Sequence, residues 1–105
     1  MKISKKAKVI TICGSTRFKE EHLREIKRLT LEGNVVLSCP FYNHTDNSDT
    51  ELTKEHLDLL DHLHKQKIDL SDAIFVVNPG KYIGTSTMNE ILYASQRGKE
   101  IMYLE

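Results

Sequence analysis

Glu90 is the carboxylate best placed to meet a ligand. It closes the run Gly84-Thr85-Ser86-Thr87-Met88-Asn89-Glu90, which gathers a glycine, three hydroxyl side chains and one acid at an expected helix start. Hydroxyls, free backbone N–H groups and a carboxylate at such a corner suit a small polar ligand. Thr87-x-x-Glu90 also fits a capping box, in which the Thr hydroxyl and the Glu carboxylate serve backbone N–H groups. A cap of that kind is worth about 1 kcal/mol and needs no chemistry. A second cluster, Gly14-Ser15-Thr16-Arg17, follows an apolar run directly. Strand, glycine turn and helix start bind anions through outward-facing N–H groups, and the forked Arg17 guanidinium suits phosphate. The plainer alternative makes Ser15 an N-cap and Arg17 a solvated side chain.

A third group, Phe41-Tyr42-Asn43-His44, lies in an expected loop after Pro40. These side chains suit stacking on and hydrogen bonding to a flat heterocycle, or simply covering the sheet edge. His56, His62 and His64 sit on one expected helix. His62 and His64 are two residues apart and share no face, and no acid completes a ligand set, so no metal is expected. Cys13 and Cys39 form no Cys-x-x-Cys pair. Neither a disulfide nor a zinc site is expected, and Cys13 reads as a small core residue.

The elements that must position these groups alternate. Lys8–Cys13 is short, apolar and β-branched, and reads as a strand buried on both faces. A helix follows as far as Gly33, with Phe18, Leu23, Ile26 and Leu29 on its apolar side. Asn34–Ser38 is the second strand. Ser48-x-x-Glu51 is a capping-box pattern opening a helix to about Lys67, with Leu52, Leu59, Leu60 and Leu63 on its apolar face. Ala73–Val77 is the third strand, followed by a turn at Asn78-Pro79-Gly80. A helix to about Gln96 and a strand at Ile101–Leu104 finish the chain. This β-α-β-α-β-α-β order predicts a mostly parallel four-stranded sheet between two helical layers, a flavodoxin-like three-layer α/β sandwich. With strand 1 central, Gly14–Arg17 and Gly84–Glu90 meet in one crevice at the topological switch point.

The 105 residues make one domain. The chain is 39% hydrophobic and 29% charged, with 15 basic and 15 acidic residues. That balance disfavours a nucleic-acid polymer or an anionic membrane surface as partner. No apolar run approaches a membrane span, and the basic N-terminus leads into a strand without a signal-peptide apolar region. A cytoplasmic location is the expectation. Neither a dinucleotide fingerprint nor a P-loop is present.

In this order, the motifs resemble the nucleoside 2-deoxyribosyltransferase family. Cys13-Gly14-Ser15-Thr16-Arg17 looks like the phosphate-side loop of that family's 2′-deoxynucleoside 5′-phosphate N-hydrolase branch. Lys67-Ile68-Asp69-Leu70-Ser71-Asp72-Ala73-Ile74-Phe75-Val76 is similar to its segment entering strand 3. Gly84 to Ala94 follows its Gly-x-Ser-x-x-x-Glu-hydrophobic-x-x-Ala signature. The resemblance implies that Glu90 is the nucleophile attacking the anomeric carbon of a 2-deoxyribosyl group. Gly14, Ser15, Thr16 and Arg17, with Gly84, Thr85 and Ser86, then hold the 5′-phosphate or 5′-hydroxyl. Phe41, Tyr42 and Asp72 face the base. The chemistry is a retaining displacement through a covalent glycosyl-enzyme, followed by hydrolysis or transfer to another base, with no cofactor.

The sequence departs from the family at His64. An aspartate usually stands there, about eight residues before the position matching Asp72, and helps protonate or position the leaving base. His64 can take the acid's part there, or mark a different substrate or the loss of transferase activity. Gly84 stands where some transferases carry a second aspartate. The family also implies a homodimer or higher homo-oligomer. Two other readings share the scaffold: a nucleotide or nucleotide-sugar binding module without turnover, and a flavin- or nicotinamide-linked reductase.

Overall fold

A computed structural model of the chain describes residues 6–39 and 52–105. Strands β1 (Val9–Cys13), β2 (Val35–Leu37), β3 (Ala73–Val76) and β4 (Glu100–Tyr103) form one sheet in the order β2-β1-β3-β4. Every pairing is parallel, with Ile10 opposite Val36 on one side and Ala73 on the other. Helices α1 (Lys19–Leu31), α2 (Lys54–Asp69) and α3 (Thr85–Gln96) cover it. The architecture is the flavodoxin-like α/β sandwich expected, with a sheet that is parallel throughout.

The layering follows from the strand order. The chain leaves β1 in one direction to reach β2, then crosses back to β3 and continues to β4. Right-handed crossovers in opposite directions place their helices on opposite faces. One core packs Ile10, Ile12, Ala73, Phe75 and Val77 against Leu29 and Ile26 of α1. The other packs Cys13, Ile74 and Val76 against Ile68 of α2 and Ile91 and Ala94 of α3. The central strands are therefore buried on both faces, as their continuous β-branched runs require.

The helices differ from expectation in which faces they bury. In α1 the buried residues are His22, Glu25 and Leu29, whereas Leu23 is 50% exposed. Positions 22, 25, 26 and 29 make one stripe at helical spacing, and Leu23 lies about 110° around the helix from its centre. Glu25 tolerates burial because Arg28 Nε donates to it at 2.8 Å. Helix α2 is capped by Thr53, whose side chain forms a capping box with His56; Ser48 and Glu51 lie outside the described residues. It buries His64 and Ile68 and leaves Leu59 and Leu63 exposed. Only its last turns reach the sheet.

Beyond β3 the chain is fastened to Glu105, just past β4. Asn78 is 3% exposed. Its Oδ1 accepts from Glu105 N at 2.9 Å and its Nδ2 donates to Glu105 O at 3.2 Å. Gly80 N donates to the Glu105 carboxylate at 3.1 Å. This tie holds the turn that delivers the start of α3. Among the described residues no helix is long and apolar enough to cross a membrane.

Candidate functional site

The C-terminal ends of β1 and β3 are neighbours, and the chain leaves them on opposite faces. A crevice of about 940 Å³ opens there, lined by Gly14–Thr16, Ser38 and Cys39, by α2, and by Gly84–Thr87 with Glu90. Its size is that of a site for a small organic ligand.

Gly14 lets the first loop enter. Its φ is +134°, and a Cβ built there would stand 2.6 Å from the backbone carbonyl oxygen of Val77. The loop thus passes directly over the end of β3, a path closed to any side chain. Ser15 then caps a short 3-10 turn at Thr16–Phe18, its hydroxyl accepting from Arg17 N at 3.3 Å. That turn separates the loop from α1, which begins at Lys19. From α1, the buried His22 Nε2 donates to Ser15 O at 3.1 Å and supports the loop from behind. Arg17 stands exposed at the rim, with its guanidinium 4.7 Å from the centre of the Tyr82 ring. The Phe18 ring meets that of Tyr82 edge-on.

The opposite wall is the start of α3. Gly84 is its N-cap, with φ −79° and ψ 174°, no side-chain cap and no acid in the first turn. That backbone geometry is open to any residue, so Gly84 is not required for its conformational freedom. The first N–H groups of α3 have no capping side chain, an arrangement that favours an anionic or hydroxyl ligand. The Thr87-x-x-Glu90 capping box is not formed. Thr87 is already the third helical residue and is buried, and Glu90 is the sixth. Glu90 therefore projects from the second turn, where the helix dipole gives it little support.

What surrounds Glu90 instead raises its pKa from 4.5 to about 7, chiefly through burial and also through the charge of Asp61. A hydrogen bond from Cys13 and the charge of Lys65 oppose this only in part. His64 Nε2 lies 3.6 Å from Glu90 Oε1. Burial, aided by the charges of Lys67 and His22, lowers His64 to about 4 against the opposing effect of Asp61. The contact is accordingly between a neutral imidazole and a carboxyl that is about half ionised at neutral pH. Burial disfavours the charged form of both groups.

Gly14, Ser15, Thr16, His64, Gly84, Thr85, Ser86 and Glu90 come together on the crevice. Asp72 does not. It precedes β3, at the opposite end of the sheet, where its Oδ2 accepts from Val9 N at 2.8 Å and its own N–H donates to Val9 O. Asp72 fixes the start of β1 rather than facing a base. Phe41 and Tyr42, with Asn43 and His44, lie outside the described residues.

Sequence reasoning missed Cys13, whose Sγ lies 3.4 Å from His64 Nε2 on the crevice floor. Its place directly before Gly14 was the available signal. It also missed the α2 face Asp61-His64-Lys67, legible as an i, i+3, i+6 row. Lys67 Nζ donates to Ser38 O at 2.8 Å and joins α2 to the end of β2. Glu90 does join a histidine after all: the ligand atoms of Cys13, His64 and Glu90 lie within 4.8 Å of one another. No family model matches the chain, and no curated protein matches it.

Proposed function

We propose that the chain binds a 2′-deoxynucleoside or its 5′-monophosphate and cleaves the N-glycosidic bond, with Glu90 as nucleophile. The observation that carries this reading is the position of the Glu90 carboxyl. It is largely shielded, 15% exposed, on the wall of a crevice whose two ends, Gly14–Thr16 and Gly84–Ser86, are both suited to an anionic or hydroxyl group. The α3 N–H groups, Ser86 and Arg17 take the 5′ end. Glu90, one turn further along α3, then faces the sugar ring rather than the phosphate.

In its ionised form Glu90 attacks the anomeric carbon while the C–N bond electrons leave with the base, which takes its proton from water. The glycosyl ester then falls to water or to a second base, with retention. The desolvation that raises the Glu90 pKa also leaves its anion poorly solvated and hence reactive. His64, neutral through burial, borders the carboxyl and helps keep water from it.

The exposed Leu63, Met88 and Leu92 of α2 and α3 offer a surface for a second copy of the chain. The reading places the enzyme in the cytoplasm as a homodimer. Its test is base release from a panel of deoxynucleosides and their 5′-monophosphates, followed by chromatography. Release by wild type that vanishes in Glu90→Ala supports it. A wild type that binds the nucleotides but releases no base, even with an acceptor base present, refutes it and leaves a binding module.

A further inference from the structure

We infer that Cys13, His64 and Glu90 form a three-ligand site for a soft divalent cation of the zinc class, with a fourth coordination position open to the crevice. Their three ligand atoms converge within 4.8 Å. The thiol comes from the end of β1, the imidazole from α2 and the carboxylate from α3, so the fold itself brings the set together. His64 Nε2 lies 3.4 Å from Cys13 Sγ and 3.6 Å from Glu90 Oε1. A tetrahedral zinc with ligand bonds of about 2.0–2.3 Å has ligand-to-ligand edges of roughly 3.4–3.6 Å. Two of the three edges thus match, and the third, from Cys13 to Glu90, lies within 4.8 Å.

The donor types agree. A thiolate and an imidazole select zinc-class ions over magnesium or calcium, and two anionic ligands with one neutral ligand offset a dication. The imidazole–carboxyl separation exceeds a hydrogen bond. The other ring nitrogen, His64 Nδ1, is buried and has no hydrogen-bond partner among the described residues. With the ring proton on Nδ1, the Nε2 lone pair lies toward Cys13 and Glu90 and is open to a metal.

A thiol nucleophile is the competing use of Cys13 beside His64. It requires thiolate and imidazolium, whereas burial and the Glu90 charge push the Cys13 thiol up and burial pushes His64 down. A dication reverses this for the thiol, because it binds the thiolate directly.

The inference is an alternative use of the carboxylate that the glycosidic reading makes a nucleophile: a bound ion would occupy Glu90 and block its attack. The test is titration of the metal-free protein with Co²⁺, without substrate. The expected result is one equivalent bound, with a thiolate-to-cobalt band in the near ultraviolet and visible bands of four-coordinate intensity. Zn²⁺ displaces them, and the thiolate band is lost in Cys13→Ala and in Cys13→Ser, each shown folded by circular dichroism. Glu90→Gln weakens cobalt binding by more than the about 10–100-fold typical of losing an outer partner of a ligand. That variant decides the matter if the Cys13 variants do not fold. A folded wild type without the thiolate band overturns the inference. So does a band that survives Cys13→Ala, which would point to Cys39, or an unchanged affinity in Glu90→Gln. Base release by the metal-free protein bears on the glycosidic reading alone, and the cobalt spectrum is read whether or not the protein turns over.

Discussion

Glu90 meets two opposed demands. A nucleophile must be ionised, yet the burial that sharpens it also favours its acid form. With the carboxyl raised to about 7, the fraction able to attack falls about tenfold per pH unit below that value. Base release should therefore climb with pH through neutrality and level off above about 8, as a pH profile of kcat/KM would show. A profile already flat from pH 5 upward would mean that Glu90 is not the group whose ionisation matters. Gly14 carries a different constraint. In Gly14→Ala the left-handed backbone costs roughly 1–3 kcal/mol, and the new methyl also meets the Val77 carbonyl at 2.6 Å. Urea unfolding should show at least that loss. Gly33, at φ +99° with nothing within 4 Å of its Cβ position, should lose only the strain when changed in the same way.

At the scale of elements, α2 and α3 press His64 against Glu90, and the two groups pull stability in opposite directions with pH. The folded pKa of Glu90 lies above its unfolded value of 4.5, so its contribution falls as pH rises from 4.5 to about 7. The folded pKa of His64 lies below its unfolded 6.5, so its contribution is lost as pH falls from 6.5 to about 4. Between about 4.5 and 6.5 the slopes cancel, each being about 1.4 kcal/mol per pH unit. Single substitutions should separate them. Glu90→Gln should gain on wild type as pH rises through 7, by up to roughly 3 kcal/mol. His64→Gln should gain as pH falls below 6.5, by a similar amount. Denaturant midpoints at several pH values measure both; a difference from wild type that stays flat with pH would refute the assigned burial effect.

The elements themselves were legible because β-branched runs and glycine breaks announce parallel strands. Which side of a helix faces inward was harder to read. Leucine at helical spacing does not distinguish a buried stripe from one left open, and α2 leaves Leu59 and Leu63 outside while His64 and Ile68 go in. The Thr87–Glu90 pattern misled because the helix begins two residues earlier, at Thr85. Asp72 misled because adjacency to β3 does not say which end of the sheet a residue occupies.

At the scale of the whole molecule, the convergence of Gly14–Thr16 with Gly84–Glu90 followed from topology alone, since strand order dictates which loops meet. The chemistry of the floor did not, because Cys13 and His64 are 51 positions apart and only the fold makes them neighbours. The apolar residues that α2 and α3 leave exposed set a further expectation. Leu63 and Leu92, 40% and 53% exposed, should become buried in a dimer. Leu92→Glu should then shift the protein to monomer in sedimentation, with its helix content retained. A wild type that sediments as a monomer at every concentration would remove the homodimer. The Asn78–Glu105 tie couples the stretch just past β4 to the mouth of the crevice. Its hydrogen bonds hold the turn that leads into Gly84 and the open end of α3. Asn78→Ala should therefore loosen that turn and weaken ligand binding at a distance from the ligand itself, as calorimetry would show.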